Sequence, residues 1–144
     1  MPSQQTYSNH TRWYPLFHFV LVPLLAINLL SHLVRFFLAP SWALFFWVIL
    51  SITLILLALT ARLMALKAQD RLIRLEERLR YRDVLSPELA KRADTLSLGQ
   101  MIALRFAPDD ELPAMIERTL SGEFARGKDI KLAVQNWRGD HVRV

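Results

Sequence analysis

Two histidines lie inside the apolar stretch NHTRWYPLFHFVLVPLLAINLLSHLVRFF, residues 9–37. On an α-helix, His18 and His32 fall on one face, about 21 Å apart along the axis. That separation suits imidazoles addressing the two leaflets of a bilayer, as in bis-histidine haem helices. The second apolar stretch carries no histidine, so only a symmetric dimer would complete such a pair. His10, Tyr14, Asn28 and Arg35 share the same arc of about 100° on a straight wheel, which Pro23 would kink. Polar groups in hydrocarbon are costly unless partnered, so such a stripe must face protein or a ligand. Three readings follow: helix glue opposite Ser51, Thr53 and Thr60; a lipid or small-ligand contact; or a haem site at His18 and His32.

The remaining candidates are ionic. Asp109, Asp110 and Glu111 are adjacent acids, read as charge at a helix N-terminus rather than as metal ligands or general acids. Trp137, Arg138, Asp140, His141 and Arg143 make a polar-aromatic tail, with Trp137 expected in the core and Asp140 or Arg143 pairing with charged helices. Arg62, Lys67, Arg71 and Arg74 follow the second apolar stretch and could meet anionic headgroups, or form a solvated face. No glycine-rich phosphate loop, H-E-x-x-H pair or nucleophile–base–acid arrangement occurs. With no cysteine, disulfides and thiolate metal sites are excluded. No catalytic residue, cofactor or metal site is assigned, and the reading is non-enzymatic.

These residues need elements to hold them. Of 144 residues, 53 % are apolar, concentrated between Tyr14 and Leu66, while all 13 acids lie from Asp70 onward. The net charge of +5 is too modest for a nucleic-acid binder. The expected fold class is all-α, a two-helix transmembrane hairpin followed by a small helical domain. Residues 1–13 form an N-terminal segment, 14–66 the hairpin (spans 14–38 and 42–66) and 67–144 the domain. MPSQQTYSNH lacks a basic region, so the first span reads as retained rather than cleaved. Pro40 breaks the chain between spans and Ser41 caps the second. Basic residues cluster after the second span and are missing from the hairpin loop, which places both termini in the cytoplasm. Arg35, at the outer end, can snorkel. Trp13, Tyr14, Trp42 and Trp47 suit interfacial belts.

The second helix continues past the span, because ARLMALKAQDRLIRLEERLRYRDVL has no breaker. Ala58, Ala61, Ala65, Ala68, Leu72, Leu75 and Leu79 alternate spacings of three and four, a heptad seam that is small in lipid and leucine-rich beyond it. It either serves a homodimeric coiled coil or packs on the first span and the chain's own domain. Asp70–Arg74 and Glu76–Arg80 are spaced for i,i+4 pairs. Ser86 and Pro87 start a helix, LSLGQMIALRFA a short buried one, and PDDELPAMIERTLSGE another ending at Gly122. GKDIKLAVQNWRGD reads as a last helix from near Asp129 to Gly139, with Ile130, Val134 and Trp137 on one face.

Four blocks in order, NHTRWYPLFHF, RLIRLEERLRYRD, LSLGQMIALRFAPDDELPAMIERTL and IKLAVQNWRGDHVRV, resemble DUF6526, a family of small bacterial membrane proteins of unknown function. The matching positions are Asn9, His10, Arg12, Pro15 and His18; Arg74, Leu75, Glu76, Arg78, Arg80 and Tyr81; Gln100, Ala103, Leu104, Arg105, Phe106, Asp109, Glu111, Leu112 and Pro113; and Trp137, Asp140, Arg143 and Val144. Gly139 stands where the family more usually has proline. The resemblance implies an inner-membrane hairpin with a cytoplasmic helical domain, and no activity or cofactor. Set beside the charges, it suggests a polar cluster in which Arg78, Arg80 or Arg105 meets Asp109, Glu111 or Asp140, with His10 and Arg12 at the same membrane face. The leading expectation is a membrane-anchored adaptor or scaffold that packs or oligomerises through its helices. The partners considered are the lipid bilayer, a second copy, another membrane protein and anionic lipid. The alternatives are a lipid or small-ligand binder using the cluster, and the haem subunit.

Overall fold

The computed structural model describes residues 6–9 and 13–140. Among them all regular structure is helical and no strand occurs. The chain divides into two compact units, Arg12–Leu66 and a second built from Lys67–Val144 with Met1–Thr11.

In the hairpin unit the first span is helical from Leu16 to Leu38, but not as one straight α-helix. Leu16–Leu21 is π-helical, and α1 follows over Val22–Leu38. Pro23 accounts for the change. It has no N–H to donate, and its ring crowds the carbonyl four residues earlier. The wider turn relieves both: the Val22 N–H bonds Phe17 O, five residues back. The π segment also breaks the 100° register, so the residues before it are rotated away from the stripe that a straight wheel draws. At Ala39 the backbone leaves the helix, and Pro40 cannot resume it. Helix α2 covers Trp42–Val84, and the Leu44 N–H donates to Ser41 Oγ at 3.2 Å, the expected cap.

Residues 42–66 of α2 run antiparallel to α1, as successive cross-contacts show: Asn28 with Ser51, His32 with Trp47, and Phe36 with Phe45. Apolar side chains cover the outside. Leu24, Ile27, Leu30, Leu56 and Leu57 are 58–64 % exposed. Both helices are long and apolar enough to cross a membrane.

The second unit has the opposite polarity. It contains residues 67–84 of α2, then α3 (Pro87–Ala93), α4 (Leu98–Leu104), α5 (Leu112–Leu120) and α6 (Gly127–Ala133). Each short helix has a local reason. The Leu89 N–H donates to Ser86 Oγ, and Pro87 occupies the first turn of α3. Ser97 and Gln100 form a capping box on α4. Gly122, at φ +83, turns the chain after α5. Gly127 lets α6 approach α4 closely, since a Cβ there would sit 3.1 Å from Gly99 O. Leu89, Met101, Leu104, Leu112, Ile116 and Ile130 fill the centre, with Tyr81 and Leu85 supplied from the α2 side.

Within this unit α2 has two opposed faces. Ile73, Glu77 and Tyr81 recur every four residues and are buried. Leu72, Leu75 and Leu79 lie on the opposite side and are 55, 56 and 52 % exposed. The leucine seam is therefore not used to pack the chain's own domain. The last helix is also shorter than its sequence suggests. It ends at Ala133, and Val134 is already extended, so Gly139 plays no part in stopping it.

Candidate functional site

In the hairpin unit the polar stripe is only partly one surface. The Ser51 hydroxyl lies 2.6 Å from Asn28 Oδ1 and 2.8 Å from Trp47 O, and its single hydrogen serves these two acceptors. Ser51 is 2 % exposed, so this is a buried bond between the spans. One turn on, His32 stacks face to face on Trp47, with centroids 5.6 Å apart and planes 9° apart. Trp47 thus packs within the hairpin, beyond the interfacial role expected of it. Thr53 turns back to Ile49 O. His18 belongs to a different group. Its Nδ1 lies 3.0 Å from Tyr14 O, and its ring meets Trp13 and Phe17 edge to face. Phe17 in turn lies 5.7 Å from the Arg62 guanidinium. Arg35 is exposed. His10 and Arg12 fall outside the described residues.

In the helical unit the charged blocks form a tied network. Arg80 is its hub, with its side chain 10 % exposed. Nε donates to Asp109 Oδ1 at 2.7 Å, Nη2 to Ala107 O at 2.8 Å, and Nη1 to Glu77 Oε2 at 3.3 Å. Arg80 therefore turns to Glu77 and Asp109 instead of the Glu76 partner its spacing suggests. It staples the loop between α4 and α5 onto α2. Arg138 Nη1 approaches the other Glu77 oxygen at 3.8 Å. Burial pushes the Glu77 carboxyl above its ordinary value, and Arg80, Arg138 and Arg105 pull it partly back. Burial is also the main reason the Tyr81 phenol is raised well above its usual value.

A second arm of the network surrounds Phe106, which is fully buried. Trp137 stacks on it with centroids 4.6 Å apart, and the Arg105 guanidinium lies 4.5 Å from the ring centre. Arg105 Nε is 3.1 Å from Asp140 Oδ2. The Arg138 N–H donates to Phe106 O at 2.8 Å. Glu111 completes the arm. Its carboxylate accepts the backbone N–H groups of Gln135 and Asn136 at 3.0 and 2.9 Å, and the Asn136 amide at 2.8 Å. This is why the last helix stops early: Glu111 takes the donors that a continuing helix would use, and the chain swings Trp137 onto Phe106. Two of the three acids before α5 are thus tertiary clasps. Asp109 holds Arg80, Glu111 holds residues 135–136, and neither caps the helix end. Arg78 pairs with Asp94 at 3.2 Å instead of joining the cluster. Arg143 lies outside the described residues.

Sequence reading missed Glu77 and Phe106 as members of this network, placed Arg138 only in the polar-aromatic tail, and missed Asp94 as the partner of Arg78. Glu77 carried a signal: an acid every fourth residue from Ile73 and Tyr81, on the inward face. Asp94 and Arg138 carried none, because their partners are fixed only by the fold. The cluster borders a cavity of about 200 Å³ lined by Ile73, Glu76, Glu77, Arg105, Arg138, Gly139 and Asp140. A groove of about 370 Å³ lies beside Arg78, Tyr81, Arg82 and Lys91. Among the described residues no three of His, Asp and Glu group as metal ligands. The carboxylates at the centre of the cluster are engaged by guanidinium or amide groups, so the arrangement ties the elements of the unit together.

No curated protein and no solved structure is significantly similar to the chain. The family DUF6526, described as a family of unknown function, matches residues 1–144. The chain therefore belongs to DUF6526, and the resemblance read from its four blocks is a family relationship over its whole length.

Proposed function

We propose that this protein is a non-enzymatic, membrane-anchored scaffold. Its hairpin, residues 14–66, sits in the bacterial inner membrane with both termini in the cytoplasm. Its helical domain, residues 67–144, offers a helix face to a partner. The observation that carries this reading is the exposure of Leu72, Leu75 and Leu79 on the α2 face opposite the domain core. Leu98 and Leu132 are exposed singly elsewhere in the domain, whereas Leu72, Leu75 and Leu79 line up on one helix face at helix-partner spacing. The ionic network supports the same reading, since its charges are spent on holding the fold.

The test begins with membranes from cells expressing the full chain. The protein should resist carbonate extraction, and single cysteines placed at Ser3 and Ser121 should both be labelled only from the cytoplasmic side. Release by carbonate would refute the anchor, and labelling from opposite sides would refute the topology. Cross-linking in intact membranes should then trap a stable polypeptide partner through the α2 face.

One observation favours a second reading. The cavity beside Glu77, Arg105, Arg138 and Asp140 is lined by both charge signs and has room for a small polar ligand. Native mass spectrometry of detergent-purified protein should then retain a lipid or small molecule that Arg138→Ala releases. A bare polypeptide mass would remove this alternative. The haem reading gains no support from either ring: His18 packs edge to face on Trp13, and His32 stacks on Trp47.

A further inference from the structure

We infer that the partner on the exposed α2 face is a second copy of this chain, aligned parallel and in register. The inference rests on the scaffold reading and names its occupant.

Residues 68–83 carry the whole pattern. With Leu72 and Leu79 at heptad position a, Ala68 and Leu75 fall at d. Arg71 and Arg78 then occupy g, and Glu76 and Asp83 occupy e. At about 100° per residue, the arginines flank the seam on one side and the acids on the other. Each copy thus carries an apolar stripe with a positive margin and a negative margin.

That asymmetry selects one arrangement. In a parallel dimer, g of one helix faces e of the other in the next heptad. Arg71 then meets Glu76 of the second copy, and Arg78 meets its Asp83, with each pair occurring twice by symmetry. In an antiparallel dimer, g would face g and e would face e, which sets arginine against arginine and acid against acid. Two chains inserted in one membrane with the same topology present these helices in parallel, so topology and charge agree. Arg71, Glu76 and Asp83 make no ion pair among the described residues, whereas Arg78 already pairs with Asp94. The Arg71–Glu76 contacts should therefore dominate.

The domain does not obstruct this. Ile73 and Arg80 at b, Tyr81 at c, and Glu77 at f are the residues that bind the chain's own core and network. Those positions face solvent in an ordinary coiled coil, so one helix uses both sides at once. Arg82, at the next d position, ends the apolar seam.

The natural chain has no cysteine, so disulfide trapping in membranes can be site-specific. Full-length Leu72→Cys and Leu79→Cys should each form homodimers on mild oxidation, and Glu88→Cys on α3 should not. Arg71→Glu should lower the Leu79→Cys cross-link roughly tenfold by replacing two attractions with two repulsions, and Arg71→Glu with Glu76→Arg should restore it. Cross-linking only between co-expressed Leu72→Cys and Leu79→Cys chains would show antiparallel pairing and overturn the inference. So would a Leu72→Cys adduct with a different polypeptide. Monomers at every position, in protein still retained by carbonate-washed membranes, would overturn self-association while leaving the anchor intact. Release from the membrane would instead count against the scaffold reading itself.

Discussion

The two units solve opposite problems with one chemistry. The hairpin leaves its leucines and isoleucines exposed and hides a serine, with Ser51 buried against Asn28. The helical unit hides most of its aliphatics outside the α2 seam and also hides a glutamate, Glu77, under two arginines. In a lipid-facing pair, apolar burial contributes little to association, so a few directional contacts set the register. In water, burial supplies the stability, and each hidden charge must be balanced by an opposite one. The same helix, α2, serves both regimes, and its alanines give way to leucines where the sequence turns polar.

This contrast can be broken by substitution. The largest effect should come from Arg80→Ala, which strands Glu77 and frees the α4–α5 loop. Loss of about 4 kcal/mol in unfolding of the helical unit is expected by denaturant titration, and Glu77→Gln on the same background should recover much of it. Ile116→Ala should cost about 3 kcal/mol by the same titration, while Ile27→Ala in the hairpin should barely change its thermal midpoint in detergent. Equal losses at the two isoleucines would mean that an outward-facing side chain of the hairpin carries as much stability as a core residue of the helical unit. Ser86→Ala should cost about 1 kcal/mol through its lost N-cap. Asn28→Ala should cost less again, about 0.6 kcal/mol for one interhelical bond in lipid, read as steric-trap or detergent unfolding of the hairpin.

Glu77 adds a pH dependence. Its folded-state pKa is raised, so the folded unit takes up a proton at a higher pH than the unfolded chain does. Its contribution is full below the unfolded carboxylate range and lost as pH rises through the folded value. Between neutral pH and about pH 5, the wild type should therefore gain stability relative to Glu77→Gln. A parallel pair of pH–stability curves would show that the three arginines cancel the burial completely.

How much of this was legible in the sequence divides along physical lines. Whatever is decided within a few residues could be read: the two spans, the break at Pro40, the caps at Ser41 and Ser86, and the turn at Gly122. Whatever depends on a distant partner could not. The spacing of Glu76 and Arg80 suits an i,i+4 pair, yet Arg80 goes to Asp109 because the α4–α5 loop brings that carboxylate and the Ala107 carbonyl to its guanidinium. The periodicity of Ile130, Val134 and Trp137 is helical, yet Glu111, far back in the chain, ends the helix at Ala133. The stripe was drawn on a straight wheel, and the π segment ahead of Pro23 divides it. Residue types named the network's members Arg105 and Asp140, but nothing local named Asp94 or Arg138 as pairing partners.

The Glu111 clasp orders events in time. Residues 135–140 are synthesised after every element they lock, including the α4–α5 loop and the α2 face beneath it. Until they arrive, Glu111 lacks its three donors, Phe106 lacks the Trp137 ring, and Arg105 lacks Asp140. The hairpin, made first, depends on none of these contacts. A chain growing from its N-terminus can therefore settle residues 14–66 while the helical unit is still open, and closes that unit only with its final clasp. With the hairpin in a membrane as proposed, its insertion would precede closure of the helical unit, and an aborted chain that stops at Ala133 would carry an unlatched domain for proteases to clear.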